Sequence, residues 1–158
     1  MMTINKSPPN LFLQQSVFLI FIAALILSLT NTVSAAENEW QARLSPMPVA
    51  FGTRNSITGL GVANAMLDDN KLIVNGSFYG LQGKALVAHI HLGPKAIPGP
   101  AILELTVETT GDGKQGKLSG TVELTPEQIQ ALNDESLYIQ ISSEAAKDGN
   151  LRGWLLPN

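Results

Sequence analysis

The chain contains no cysteine. That removes disulfides, thiolate metal centres, cysteine nucleophiles and a cysteine-linked lipid anchor together. Histidine is almost as scarce, at two residues, so no centre needing three or more imidazoles can be built. Basic residues never cluster. From residue 36 onward nine lysines and arginines stand dispersed among thirteen aspartates and glutamates. With no basic stripe there is nothing to neutralise phosphates, which sets nucleic-acid binding aside. Long hydrophobic runs are also missing, with one exception near the N-terminus.

That exception is Val17–Leu29, a run of 13 residues. As a helix it would extend about 20 Å at 1.5 Å per residue, short of the roughly 30 Å hydrocarbon core of a bilayer. It follows Lys6 and a polar opening, is stopped upstream by Gln14 and Gln15, and precedes Val33-Ser34-Ala35-Ala36. This is the three-part layout of a secretory signal peptide with small residues at the cleavage point; a retained anchor is the alternative. The expectation is a signal peptide over residues 1–35 and one periplasmic or secreted domain over residues 36–158, with no membrane span after cleavage. The 123 residues left suit a single domain. Without disulfides, an exported domain has to hold itself together by packing and β-pairing.

Past Ala36 the hydrophobic pattern has period two almost throughout. Leu72, Val74, Gly76 and Phe78 alternate with polar neighbours, as do Leu86 to Leu92, Leu103 to Glu108, Lys117 to Leu124, and Leu137 to Ser142. A last strand is expected from Leu151 to Leu156, and less regular ones over Glu39–Leu44 and Gly59–Met66. Thr110-Gly111-Asp112-Gly113 and Lys147-Asp148-Gly149-Asn150 are expected to be hairpin loops, because Asp-Gly and Asn tolerate the positive φ of tight turns. One short helix is signalled: Thr125 as N-cap, Pro126 at the first helical position, Gln128 closing a capping box, and Asn133 at the end. Short strands with one apolar face each predict two antiparallel sheets packed face to face.

Three features carry candidate chemistry. His89 and His91 sit at i and i+2 on a strand and so share a face, a common half-site for copper or zinc. Any further ligands would have to be carboxylates such as Glu104 or Glu144, or water. The competing reading has both imidazoles bracing the following loop by hydrogen bonds. That loop, Gly93-Pro94-Lys95-Ala96-Ile97-Pro98-Gly99-Pro100, is stiffened by three prolines, and a stiff loop at the end of a β scaffold is a natural recognition surface. Arg152 lies on an otherwise apolar strand beside Gly153, which permits close backbone approach; a structural clamp to a carboxylate or to backbone carbonyls is expected. No nucleophile elbow, phosphate loop or acid–base–nucleophile set is present, so the protein is not expected to be an enzyme.

Val87-Ala88-His89-Ile90-His91-Leu92-Gly93 followed by Pro98-Gly99-Pro100-Ala101-Ile102 resembles the core motif of CHRD (chordin-type) domains. Leu124-Thr125-Pro126-Glu127 with Leu137-Tyr138-Ile139, and Gly149-Asn150-Leu151-Arg152-Gly153-Trp154, resemble that family's later motifs in the same order. Leu44-Ser45-Pro46 and Gly59 to Ala65 are similar to its looser opening segment. The resemblance implies a secreted module, here one of bacterial type. Through a distant likeness to Cu/Zn superoxide dismutase it also implies an immunoglobulin-like or superoxide dismutase-like Greek-key sandwich. Where the family usually has a further histidine, this chain has Ile141-Ser142-Ser143, which argues against dismutase chemistry. The functional expectation is a binding or structural module contacting an envelope protein or polysaccharide, the alternative being a copper- or zinc-binding protein using His89 and His91.

Overall fold

The alternating runs become strands whose inward residues are the apolar ones. In the computed structural model, which describes residues 38–48 and 50–158, the strands are β1 (Glu39–Pro46), β2 (Leu60–Asp68), β3 (Lys71–Tyr79), β4 (Ala85–Leu92), β5 (Ala101–Thr110), β6 (Gln115–Glu123), β7 (Leu137–Ser143), β8 (Ala146–Trp154) and β9 (Leu156–Pro157). A single helix among the described residues, α1 (Pro126–Asn133), separates β6 from β7. The segment expected to be a signal peptide, residues 1–35, lies outside the described residues. No helix among the described residues is long and apolar enough to cross a membrane.

All strand pairings are antiparallel, in the order β2-β3-β6-β5-β4-β7-β8-β1, and β1 then pairs back onto β2 from Glu39↔Met66 to Leu44↔Gly61. Eight strands thus close into a barrel. Two separate sheets had been expected, and the closure corrects that reading. The reason lies in β1 and β5, each of which serves two neighbours along one side or the other. Ala101 to Leu105 of β5 face β4, whereas Thr106 to Thr110 pair with β6. Likewise β1 pairs with β2 at its beginning and with β8 at Ser45↔Arg152 and Pro46↔Leu151. Alternation in sequence reports which face is buried, not whether the sheet edges meet. The Greek-key order is present: β4, β5 and β6 form a meander, with β3 beside β6 and β7 beside β4.

β9 continues β8 along β1 in the same register, at Gln41↔Leu156 and Trp40↔Pro157, with buried Leu155 between the two pieces. The interior is filled by Leu72, Val74 and Phe78 of β3, Ala88 and Ile90 of β4, Leu105, Leu118, Ile139, Ile141 and Leu151. Each large apolar side chain taken from water contributes roughly 1.5–3 kcal/mol, which is how the barrel stands without a disulfide.

Two local expectations fare differently. The helix starts as its sequence signals: Gln128 N–H donates to Thr125 Oγ1 at 3.3 Å and Thr125 N–H donates to Gln128 Oε1 at 2.9 Å, a reciprocal cap with Pro126 just inside. Its Leu132 is fully buried against the core. The expected loop over Lys147–Asn150, by contrast, lies inside β8. Ser143 pairs with Ala146, so the turn is made by Glu144 and Ala145, and the register shifts further along β7 and β8. Gly149, at φ 134°, serves a bulge in the strand. Asp-Gly marks a positive φ, and a bulge uses that as readily as a turn does.

Candidate functional site

Strands β4, β7 and β8 are neighbours, and their registers set residues from distant parts of the sequence side by side on the outer face. One cross-strand row is His91, Tyr138 and Trp154; the next is His89, Gln140 and Arg152. Such rows lie about 4.8 Å apart from strand to strand, close enough for direct contact. The middle strand is buried on both faces, all seven residues of it. On the inner side that is the core. On the outer side it is the cover supplied by the flanking side chains and by the loop after β4.

Contact by contact, the row is a clamp on that loop. The Tyr138 hydroxyl accepts from Gly99 N–H at 3.0 Å and donates to Gly99 C=O at 3.1 Å. His91 Nδ1 lies 3.0 Å from the same carbonyl oxygen. The Trp154 indole N–H donates to Gly93 C=O at 3.0 Å. A backbone bond from Leu92 to Pro100 (3.0 Å) ties the loop ends together, one from Gly93 to Ser136 (2.8 Å) ties the loop to the segment before β7, and Lys95 forms an ion pair with Glu135. Gly99 has to be glycine, because a Cβ there would fall on the Leu92 carbonyl oxygen; at Gly93 a Cβ would stand 2.6 Å from Ile97 O. The exposed part of the loop is Pro94 to Pro98, with Ile97 59% accessible.

The same face is stacked. The His91 ring lies on Tyr138 with centroids 4.8 Å apart and planes 13° from parallel, and Tyr138 meets Trp154 at 5.0 Å. The Arg152 guanidinium sits 4.9 Å from the Tyr138 centroid and 5.9 Å from that of Trp154, within cation–π range. Its Nε and Nη2 donate to Gln140 Oε1 at 3.2 and 2.8 Å, and Gln140 Nε2 donates to Asp148 C=O at 3.1 Å. The carboxylate or backbone partner expected for Arg152 is therefore replaced by a side-chain amide and two ring faces. Gly153 permits the approach of β1, since a Cβ there would collide with Arg43 C=O. Tyr138, Gln140 and Trp154 were not singled out from the sequence. The signal that could have found Tyr138 and Gln140 is the polar side of the β7 alternation, and for Trp154 it is the i, i+2 spacing from Arg152 on β8.

Electrostatically His91 favours its neutral form. Burial disfavours its charge, and the nearby His89 and Arg152 push the same way, against the opposing hydrogen bond that His91 donates to the Gly99 carbonyl. Since a carbonyl only accepts, Nδ1 carries the proton and Nε2 keeps a lone pair. The His89 and His91 rings stand perpendicular with centroids 6.0 Å apart, and Glu104 is the cross-strand partner of His89. Glu144 is not brought to them; it lies just beyond the opposite end of β7, against the Lys84 backbone N–H at 3.4 Å. Among the described residues no three of His, Cys, Asp and Glu form a metal-holding set. The Ser143 hydroxyl bonds Asn150 Oδ1 at 3.0 Å and meets no imidazole.

A family model described as the CHRD domain matches residues 40–155, from Trp40 in β1 to Leu155 just after β8, and so takes in all eight strands of the barrel. No curated protein and no solved structure matches the chain.

Proposed function

We propose, for a chain that belongs to the CHRD domain family, the role of a non-enzymatic binding module of the periplasm or extracellular space, with the loop over residues 93–100 as its contact surface. CHRD domains are in general extracellular, non-enzymatic modules. The observation that carries the reading is the pinning of Gly93 and Gly99 by Trp154, Tyr138 and His91 while Lys95 and Ile97 remain exposed. A loop ordered in advance avoids much of the roughly 0.5–1.5 kcal/mol per side chain that ordering on binding costs. The partner class is an envelope protein or a polysaccharide.

The test is retention of the chain on immobilised envelope-protein and polysaccharide fractions, comparing wild type with Ile97→Asp. Ile97 supports no core contact, so the variant is expected to melt like wild type and to lose retention. Equal retention of both chains, or none of either, overturns this reading.

One observation favours a second role. His91 Nδ1 held by a backbone carbonyl, which leaves the lone pair on Nε2, is the arrangement by which metal-binding histidines are oriented. With His89 beside it, a weak copper or zinc site completed by water or Glu104 is the alternative. Calorimetric titration with Cu²⁺ and Zn²⁺ against His89→Ala/His91→Ala tests it, and equal heats in both proteins would end it.

A further inference from the structure

A guanidinium carries five N–H donors and presents them on flat edges that suit a forked acceptor. In Arg152 one edge is used, Nε and Nη2 both donating to Gln140 Oε1 at 3.2 and 2.8 Å. The other edge, made by Nη1 and the second hydrogen of Nη2, has no acceptor among the described residues.

The charge has no counter-charge either. The ion pairs among the described residues are Lys95–Glu135 and Lys114–Asp112. Along the cross-strand row the order is Ser45, Arg152, Gln140, His89 and Glu104. The carboxylate of that row therefore stands three strands from Arg152, roughly 14 Å at the spacing of a sheet. Gln140 offers only a neutral oxygen. After burial, His89 and Arg152 are what hold His91 below its ordinary range, so the groups sharing this face add positive charge and no negative one. The cation is also fixed in place. Gln140 is 9% exposed and donates through Nε2 to Asp148 C=O at 3.1 Å, while the guanidinium lies 4.9 Å from the Tyr138 ring centroid and 5.9 Å from that of Trp154. Ring faces hold the group without giving its second edge an acceptor.

We infer that the second edge of Arg152 is a docking point for a carboxylate carried by a partner protein, on an aspartate or glutamate side chain or a C-terminus. A carboxylate is planar and anionic, so its two oxygens match the edge as a fork and supply the missing counter-charge. Ser45, the cross-strand neighbour on β1, adds a hydroxyl beside it. Arg152 is half-buried, which selects a carboxylate at the end of a slim aliphatic arm. A uronic acid bears its carboxylate directly on the sugar ring, too broad to follow it to a recessed guanidinium. Because Gln140 and the two rings hold the arginine in advance, little side-chain ordering is left to oppose binding. The site needs none of the exposed residues of the loop and so goes beyond the loop-mediated role.

The test is an NMR titration of the full chain with an acetylated and amidated Gly-Glu-Gly peptide, its Gly-Gln-Gly counterpart, inorganic phosphate and trigalacturonate. A saturable shift of the Arg152 Nε–H is expected with the glutamate peptide at millimolar concentration, and none with the glutamine peptide. Gln140→Glu sets a carboxylate against the same guanidinium and is expected to abolish the response. Arg152→Lys keeps the charge without the fork and is expected to weaken binding, read at the Ser45 amide, at least about tenfold, roughly 1.4 kcal/mol. Ile97→Asp is expected to bind the peptide as wild type does. Four results overturn the inference: an equal response to the two peptides, shifts located elsewhere, tighter binding of phosphate or trigalacturonate than of the glutamate peptide, or a folded Arg152→Lys that binds like wild type. The two peptides are compared on wild type, so that comparison decides the matter without either variant having to fold.

Discussion

Tyr138→Phe isolates the clamp on the loop by removing a single oxygen. The ring is 1% exposed, and its hydroxyl serves both backbone groups of Gly99. Phenylalanine keeps the ring against His91 and Trp154, so the stacking is retained. The Gly99 carbonyl also retains His91 Nδ1 as a donor, but the Gly99 N–H loses its acceptor. An ordinary hydrogen bond is worth about 0.5–1.5 kcal/mol, and stranding a covered donor raises the loss to about 1–3 kcal/mol. Gly99 is half-buried, which puts the expectation at about 1–2 kcal/mol. For a domain of this size that is a fall in Tm of roughly 3–10 °C. Urea denaturation should show a lower midpoint at an unchanged slope, and hydrogen exchange should speed up at the Gly99 amide more than at Ile139 in β7. A loss below about 0.5 kcal/mol with Gly99 exchange unaltered would refute the idea that Tyr138 holds the loop.

Gly99→Ala pushes a methyl group onto the Leu92 carbonyl and should cost about 2–4 kcal/mol, whereas Gly52→Ala, with nothing within 4 Å of the new Cβ, should stay within about 0.5 kcal/mol; equal thermal melts for the two would contradict the packing described. His91 has a native pKa below its ordinary 6.5, so the folded state binds fewer protons there than the unfolded one. Its stabilising contribution is complete above 6.5 and is lost as pH falls through the lower folded value. The urea midpoint of wild type minus that of His91→Asn should therefore shrink between about pH 7.5 and about pH 5, and a difference that grows on acidification would reverse the sign worked out here. Thr125→Ala removes the reciprocal helix cap and should cost about 1 kcal/mol in the same denaturation measurement; no change would mean that Gln128 alone holds the helix start.

Much of the barrel was legible because each strand buries one face. Leu72, Val74 and Phe78, or Ala88 and Ile90, announce their strands by spacing alone. What spacing does not carry is the pairing of β1 with both β2 and β8, because hydrogen bonds between backbones leave no side-chain signature. The Asp148-Gly149 step is ambiguous in sequence for a similar reason: it fixes a backbone angle, and both turns and bulges use that angle. At the site, the sequence pointed to His89, His91, Arg152 and the loop, yet not to the partners that join them. Tyr138 and Trp154 look like ordinary strand aromatics until the register sets them side by side in the same row as His91. Gln140 is an unremarked polar residue until it stands between Arg152 and the Asp148 carbonyl. The carboxylates offered as companions to the histidines were chosen by type, and geometry separates them: Glu104 is beside His89, and Glu144 is a strand's length away.

The residues that carry the family resemblance have mostly structural duties here. His91, Gly93, Gly99, Tyr138, Arg152 and Trp154 converge on one patch, and all but Arg152 bond or shape the ends of the same loop. Lys95, Ala96 and Ile97, at the exposed part of that loop, are outside the resembling motifs. A motif that encodes the bracing identifies the scaffold and is silent on the ligand, since the scaffold tolerates any exposed side chains between fixed ends. Ligand identity therefore has to be sought by changing residues that hold nothing in place, where a loss of binding cannot be a loss of fold. Ile97→Asp meets that condition, so a loss of retention at an unchanged melt marks the loop as the recognising surface and leaves its bracing out of the account.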